Sequence, residues 1–121
     1  MPNDVCVLGD ELFVSSGHCI TVFSLAGQYL RHWGCEGSGD GQFQYPHGVH
    51  AVGGYIYVAD TRNGRVQVFT RAGEFISKFG CEGLSKGEET RPGYFYLPCG
   101  LCSVGGRLYV SDWSGRIQVF E

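Results

Sequence analysis

Hydrophobic and polar positions recur along the chain in three similar copies. Each copy opens at a proline, and the proline is followed by a short apolar run of strand-forming residues and then by a run in which apolar and polar residues alternate. A repeat of about 40–50 residues is typical of proteins that stack one structural unit. The opening prolines are Pro2, Pro46 and Pro98, the apolar runs are 12–15, 56–59 and 108–111, and the alternating runs are 20–23, 66–69 and 117–120.

A further strand is predicted in two of the copies only. A glycine turn at 26–27 and at 72–73 leads into an alternating run that ends at Trp33 and Phe79, and the third copy stops before this point. Together with a strand after each proline, the pattern predicts four, four and three strands. We expect an all-β fold, a β-propeller of about 2.75 four-stranded antiparallel blades. Blade 1 is predicted at 2–34, blade 2 at 46–80 and blade 3 at 98–121 without its outer strand, with an insertion-bearing loop at 81–97.

Composition agrees with this fold class and excludes several functions. The chain of 121 residues is 43% hydrophobic and 14% aromatic and holds 20 glycines, which fits short strands joined by tight turns. A net charge of −3 argues against a broad surface for nucleic acid. Because no run of about 18 apolar residues and no signal sequence is visible, we expect a soluble, cytoplasmic chain without a membrane partner.

Several segments of the second copy share one motif, with a partial match in the third copy at 98–100, 108–112 and 116–120; in the second copy they are 39–43, 46–49, 56–61, Asn63, 65–69, Gly73 and 79–80. On these segments the second copy is similar to an NHL repeat. This resemblance implies a six-bladed propeller that acts as a non-catalytic scaffold, with rim loops that bind a protein partner. It also implies a possible place in a larger parent, because such propellers occur at the end of tripartite-motif ubiquitin ligases.

Six blades need more chain than the sequence provides. Two interpretations follow: a partial sequence, or a homo-oligomer in which two copies complete the ring. We expect the partial sequence, because a dimer would leave two blades with unpaired outer edges.

Cysteine and histidine recur at equivalent positions, which raises the question of a metal. Cys99 and Cys102 form a C-x-x-C pair, and the second copy has His47 and His50 in the same places. Residues three apart on an extended strand point to opposite faces, so we expect no metal and no cofactor. We also expect reduced thiols rather than a disulfide framework.

An enzyme is the third interpretation. Peptide-amidating lyases resemble this repeat family and carry a metal and catalytic residues in the propeller channel. Cys6, His50 and Cys102 would lie on the innermost strands here, but one histidine and two cysteines do not reproduce such a site. We therefore expect a protein that is not an enzyme.

Two Asp–Arg pairs straddle equivalent turns. Asp60 and Arg65 flank one turn, and Asp112 and Arg116 flank the other. An aspartate in a turn accepts backbone N–H bonds and can pair with arginine, so these four residues are predicted to be structural.

Partner binding is predicted in the loops. Trp113 follows Asp112 in a rim turn, where we expect an exposed side chain suited to a binding hot spot. Lys86, Glu88, Glu89 and Arg91 lie in the polar insertion, and Arg62 and Arg107 complete the predicted contact set. The alternative is RNA binding on one propeller face, with Arg62, Arg65, Arg107 and Arg116 as cations and Trp113 stacking on a base.

Overall fold

The computed structural model describes residues 2–82 and 93–120, and for residues 81 and 82 it describes the backbone alone. Strands dominate this part of the chain, as the alternating pattern predicts, and no helix in it is long and apolar enough to span a bilayer. The strands are β1 (Pro2–Leu8), β2 (Glu11–Ser16), β3 (Cys19–Ser24), β4 (Tyr29–Trp33), β5 (Val49–Val52), β6 (Tyr55–Asp60), β7 (Arg65–Phe69), β8 (Phe75–Phe79), β9 (Cys81–Glu82), β10 (Tyr94–Phe95), β11 (Pro98–Val104), β12 (Arg107–Asp112) and β13 (Ile117–Phe120).

Three antiparallel sheets form the blades. Blade 1 has the order β1-β2-β3-β4, blade 2 the order β5-β6-β7-β8, and blade 3 the order β11-β12-β13. Neighbouring strands are joined by tight turns, such as the one at Gly53 and Gly54, where both residues have positive φ. The predicted all-β propeller architecture is confirmed for the described residues.

The strand register is the same in all three blades. Phe13 on β2 lies opposite Cys6 on β1 and Val22 on β3. In blade 3, Tyr109 on β12 lies opposite Cys102 and Val119 in the same way. Since side chains alternate between the two faces of a strand, a fixed register sends equivalent residues of each blade to the same face.

Apolar side chains from neighbouring blades interlock to form two cores. Between blades 1 and 2, Phe13, Ile20, Val22, Val49, Ile56, Val58 and Phe69 are buried together with Phe43. Between blades 2 and 3, Val66, Phe95, Leu108 and Val110 are buried, with Phe79 and Phe120 packed against them. Each blade is thus stabilised by the face of the next one rather than by a core of its own.

Glycine follows the last aromatic residue of each complete blade for a packing reason. Gly34 has φ +97°, and a Cβ atom there would lie 2.5 Å from the ring of Phe43. Gly80 has φ +95°, and its Cβ would lie 2.3 Å from Phe95. The phenylalanine of each blade-connecting segment can therefore reach the core only because the residue that its ring contacts is glycine, which has no Cβ atom.

Two small elements were not predicted from the pattern. Residues Thr61–Asn63 form a single 3-10 turn between β6 and β7, which ends at Gly64 in the left-handed region. The short strands β9 and β10 pair in parallel, and a single bridge joins Glu36 to Phe43 in the equivalent place between blades 1 and 2. Both elements are too short to produce a periodic signal in the sequence.

Candidate functional site

A buried carboxylate fixes the turn between β6 and β7. Asp60 has no exposed surface, and its Oδ2 accepts bonds from Arg65 Nε at 2.8 Å, Asn63 Nδ2 at 2.9 Å and Gln67 Nε2 at 3.1 Å. Its Oδ1 accepts the backbone N–H of Gln44 at 2.8 Å. The structure thus brings Asp60 and Arg65 together in a fully bonded network, the condition under which a buried charge is tolerated.

This network also holds the loop that connects blades 1 and 2. Arg65 Nη2 donates to the carbonyl oxygens of Gly39 at 2.8 Å and Gln42 at 3.0 Å. Gln67 Oε1 accepts the N–H of Gly41 at 2.9 Å. The glycine-rich segment before the second copy is therefore ordered by polar side chains of β7, a role that its repeating glycines alone do not reveal.

Blade 3 repeats the arrangement in a looser form. Arg116 Nη2 lies 3.5 Å from Asp112 Oδ2 and donates to the carbonyl oxygen of Tyr94 at 2.6 Å. Asp112 Oδ1 accepts from the N–H of Ser114 at 3.0 Å. The Arg116 side chain is 23% exposed, whereas that of Arg65 is 8% exposed, so the blade 3 pair is more open to water.

Near these turns lie five aromatic or basic side chains, which we name the rim strip; all of them except the half-buried His18 are exposed. Tyr45 is 52% exposed, and its ring lies 4.3 Å from the ring of His18. The guanidinium of Arg62 lies over the Tyr45 ring, 5.9 Å from its centre. The members of the rim strip are His18, Tyr45, Arg62, Tyr96 and Trp113.

The rim strip continues into blade 3 through a chain of hydrogen bonds. Thr61, next to Arg62, donates from Oγ1 to the carbonyl oxygen of Pro98 at 2.7 Å. Trp113 is 66% exposed, and its Nε1 donates to Cys99 Sγ at 2.9 Å. Burial raises the pKa of the Cys99 thiol, although the bond from Trp113 acts in the opposite direction. The thiol thus stays a neutral acceptor that orients the indole.

Backbone bonds anchor the rim strip to the loops between the blades. The N–H of Arg62 donates to the carbonyl oxygen of Gln44 at 3.0 Å, and the N–H of Trp113 donates to that of Tyr96 at 2.9 Å. Both turns are therefore tied to the segment that precedes the opening proline of their own blade. Exposed side chains on backbone that is fixed in this way lose less conformational entropy on binding than they would on a free loop.

The predicted partner-binding residues do not all lie on the rim strip. Trp113 and Arg62 belong to it. Arg107 opens β12, at the end of that strand opposite to Asp112 and hence opposite to the strip. Lys86, Glu88, Glu89 and Arg91 lie outside the described residues. Sequence reading missed Tyr45, Tyr96 and His18, since each looks like an ordinary loop residue until the turns bring them together.

Among the described residues, the candidate metal ligands do not form a group that could hold a metal ion. His50 Nε2 lies 2.9 Å from Ser103 Oγ, and Cys99 is engaged by Trp113. Within residues 2–82 and 93–120, no group of three or more His, Cys, Asp or Glu side chains that could hold a metal ion is found, so His47, His50, Cys99 and Cys102 do not converge. The thiols of Cys6, Cys19, Cys35, Cys99 and Cys102 are free.

Cys6 on the innermost strand of blade 1 is not poised for chemistry. Burial, together with the charge of Asp4, raises the pKa of its thiol to about 11. A thiol with this pKa carries little thiolate at neutral pH, and the thiolate is the form that attacks electrophiles and binds metals.

A second polar cluster joins blades 1 and 2 on the side away from the rim strip. Glu11 accepts two bonds from Arg31, at 2.7 and 2.9 Å, and Arg71 Nη2 donates to Glu11 Oε1 at 2.7 Å. Hydrogen bonds from Arg31 and then Arg71 lower the pKa of the Glu11 carboxyl to about 2. Arg31 also donates to the carbonyl oxygen of Arg71 at 2.6 Å, so this cluster links blade 1 to blade 2 through several hydrogen bonds.

The fold and its repeated turn network define the class of the protein as a β-propeller. Among solved structures, BamB from Moraxella catarrhalis is similar over 96% of this chain and 31% of that chain, with a TM-score of 0.63 and 21% sequence identity. Residues 43–69, which include the Asp60–Arg65 turn, match the model of the NHL repeat. Residues 43–69 thus form an NHL repeat within the propeller, and the resemblance of the second copy to this repeat is confirmed.

Curated relatives match a shorter part of the chain. The peptidyl-glycine alpha-amidating monooxygenase of Mus musculus is 40% identical over 77 residues, which covers 54% of this chain and 8% of the relative. The peptidyl-glycine alpha-amidating monooxygenase B of Xenopus laevis is 38% identical over 77 residues, which covers 54% of this chain and 9% of the relative. The chain therefore spans less than a tenth of the length of these enzymes.

Proposed function

We propose that this chain is a non-catalytic binding module that uses the rim strip to hold a peptide segment of a partner protein. The observation that carries the proposal is the set of Tyr45, Arg62, Tyr96 and Trp113, all exposed to solvent and lying on or beside turns that the Asp60 and Asp112 networks fix. Exposed aromatic residues and arginine are the residue types that dominate binding energy at protein interfaces.

The chemistry of the strip favours a peptide with an apolar anchor and a carboxylate. Trp113 and Tyr45 offer flat apolar surface, and the phenol of Tyr45 can also exchange hydrogen bonds with a ligand, whereas the indole N–H of Trp113 is engaged by Cys99. Arg62 supplies a guanidinium that can pair with a carboxylate in a two-bond arrangement. The overall net charge of −3 gives no general attraction for an acidic partner, so specificity has to come from this local cation.

Selection from a displayed random-peptide library tests the proposal. Wild-type chain is expected to enrich peptides that combine an acidic residue with an aromatic or large aliphatic one. The double variant Arg62→Ala, Trp113→Ala should lose the enriched peptides, because both anchors of the strip are removed. Leu25→Ala is the matched control, since Leu25 is 59% exposed in a turn that contributes nothing to the strip. Enriched peptides that bind the double variant as well as wild type contradict the proposal.

RNA binding is the alternative that the resemblance implies, and the positions of the arginines weaken it. Arg65 is buried against Asp60, and Arg107 lies at the opposite end of its blade. Arg116 lies near Trp113, but its guanidinium is engaged by Tyr94 and Asp112, so Arg62 is the basic member of the strip. A salt titration with single-stranded RNA separates the two functions. Binding that weakens steeply as salt rises favours RNA, because released counterions drive such binding.

Catalysis on a peptidyl-glycine derivative is a second candidate, favoured by the identity to the amidating monooxygenases. The raised pKa of Cys6 and the hydrogen bond that engages His50 with Ser103 argue against it. Turnover of an α-hydroxyglycine peptide by the purified chain supplied with divalent metal would support an enzyme, and absence of turnover supports the binding role. A ubiquitin-ligase parent, a cytoplasmic location and completion of the ring by a second copy stay predictions.

A further inference from the structure

Asparagine occurs twice in the chain, at Asn3 and Asn63, and only Asn63 is followed by glycine. The backbone nitrogen after an asparagine can attack the carbon of the side-chain amide, and glycine permits this attack because it has no side chain to hinder it. Asn63 is the last residue of the 3-10 turn between β6 and β7, and Gly64 caps that turn. The sequence and the local structure therefore single out one amide that is open to modification.

The side-chain amide of Asn63 is fully engaged in the folded chain. Its Nδ2 donates to the carbonyl oxygen of Gly37 at 2.8 Å and to Oδ2 of Asp60 at 2.9 Å, so both of its hydrogen atoms are used. Asn63 is half-buried, and Gly64 is buried. The closed turn therefore restricts both the movement of the amide and its contact with water.

The backbone nitrogen that would attack this amide is also held in place. The N–H of Gly64 donates to the carbonyl oxygen of Thr61 at 3.3 Å. Closure of a ring between the Gly64 nitrogen and the Asn63 side chain needs rotation about the Cα–C bond of Asn63, and the 3-10 turn fixes this bond. The two reacting groups can therefore meet only after the turn has opened.

We propose that Asn63 is a deamidation site that the Asp60 network protects, and that its deamidation prevents the opened β6–β7 turn from closing again. In the reaction, the Gly64 nitrogen gives its proton to water and bonds to Cγ of Asn63. The Cγ–Nδ2 bond then breaks, and the amide nitrogen takes a proton from water and leaves as ammonia. One water molecule opens the resulting five-membered imide and yields aspartate or isoaspartate at position 63, so water is the one reagent that the modification requires.

The product of this reaction does not fit the closed turn. A carboxylate at position 63 cannot donate a hydrogen bond, so the carbonyl oxygen of Gly37 and Oδ2 of Asp60 each lose a donor. The carboxylate would also place a second negative charge within about 3 Å of the buried Asp60 side chain, where like charges repel strongly. Isoaspartate adds a methylene group to the backbone as well, which changes the length of the turn.

The consequence of deamidation extends to the glycine-rich segment that joins blades 1 and 2. Arg65 Nη2 donates to the carbonyl oxygen of Gly39 at 2.8 Å, and Gln67 Oε1 accepts the N–H of Gly41 at 2.9 Å. Arg65 and Gln67 are both held by Oδ2 of Asp60, the group that the new carboxylate repels. Deamidation is therefore expected to release this segment from β7. The inference does not depend on the function proposed for the rim strip.

The rate of deamidation tests the protection. The intact chain is incubated at pH 8 and 37 °C, once folded and once unfolded in urea, and mass spectrometry follows the peptide that contains residue 63. This residue should deamidate at least about tenfold more slowly in the folded chain, because only the open turn reacts. Asn3, which precedes Asp4 instead of glycine, is the internal control and should remain an amide. Equal rates at residue 63 in the folded and the unfolded chain, or no reaction in urea, overturn the proposal.

Two matched variants separate the Asp60 network from the fold as a whole. Asp60→Ala removes an acceptor of the Asn63 amide and should speed deamidation by at least about tenfold in chain that is still folded. Asp112→Ala makes the same change at the equivalent position of blade 3 and should leave the rate at residue 63 within about twofold of wild type. The same acceleration in both variants, or none in Asp60→Ala, contradicts the assignment. If Asp60→Ala does not fold, the comparison of folded and unfolded wild type still decides.

Asn63→Asp reproduces the aspartate product and tests its effect on the turn. Its unfolding midpoint in urea should lie below that of Asn63→Ala, because both variants lose the amide donor but only aspartate adds a charge beside Asp60. Hydrogen exchange in Asn63→Asp should be at least about tenfold faster than in wild type at the amides of 41–43, and unchanged at those of 108–110 in blade 3. Equal midpoints of the two variants, or unchanged exchange at 41–43, overturn the claim that the product keeps the turn open.

Discussion

The buried Asp60–Arg65 network gives the sharpest prediction on stability, through the nearly isosteric change Asp60→Asn. Oδ2 of Asp60 accepts from three side chains, all within 3.1 Å. The asparagine side chain would present to these three donors either its NH2 group, which cannot accept their hydrogen bonds, or its neutral carbonyl oxygen, which accepts them more weakly. In both cases the Arg65 guanidinium would be buried without a counter-charge. Breaking a buried pair from one side costs about 3–5 kcal/mol.

Urea unfolding measures this cost. With an m-value of about 2 kcal/mol/M for a chain of this size, the midpoint should fall by about 1.5–2.5 M. Asp112→Asn should cost less, because its arginine partner is 3.5 Å away and partly in water. Asp10→Asn is the surface control, since the Asp10 side chain is 89% exposed and its pairing with Arg71 should contribute under about 1 kcal/mol. A loss for Asp60→Asn no larger than that for Asp10→Asn would refute the reasoning.

Three further predictions concern the contact between the blades and the thiols. Gly73→Ala should destabilise the chain more than Gly27→Ala, because both glycines have φ near +90° but only the Cβ at 73 meets a ring, that of Trp33; equal unfolding midpoints would contradict this. The pKa of Glu11 is about 2 in the folded chain and 4.5 when the side chain has no partner. Its contribution to the free energy of unfolding is therefore complete above pH 4.5 and is lost as the pH falls toward 2. The difference in midpoint between wild type and Glu11→Gln should therefore shrink over that range, and a constant difference would count against the cluster. Iodoacetamide at pH 8 should label Cys6 far more slowly than exposed Cys35, as read by mass spectrometry of peptides, because the pKa of Cys6 is about 11; equal rates would exclude the burial of Cys6.

Much of the fold could be predicted because the same pattern of strands occurs three times in the sequence, so that each copy supports the assignment of the others. The alternation in 66–69 and 117–120 gives the third strand of each blade, and the paired positions of Asp60 and Arg65 around a turn give their proximity. The rim strip could not be predicted in the same way. Tyr45 and Tyr96 are not equivalent positions in the repeat, since the residue equivalent to Tyr45 is Leu97, so alignment of the copies hides the strip instead of revealing it.

The polar contacts of the loops also could not be predicted from the pattern of apolar and polar residues. Gln67 occupies a strand position that alternation assigns to an ordinary polar residue, yet it is fully buried and bonds to Gly41 and Gln42. Its role depends on a segment about 25 residues away in sequence, and no local propensity carries such information. The same holds for Glu11, whose two arginine partners come from different blades.

Hydrogen exchange with a peptide recovered from the displayed library tests the central claim most directly. If the rim strip is the binding surface, the bound peptide should slow exchange at the amides of 44, 45, 61–64, 96, 97, 99 and 112–114, while the amides of 25–28 on the far edge of blade 1 exchange as before. Protection confined to 25–28 or to the inner strands, with residues 61–64 and 112–114 unchanged, would contradict the account.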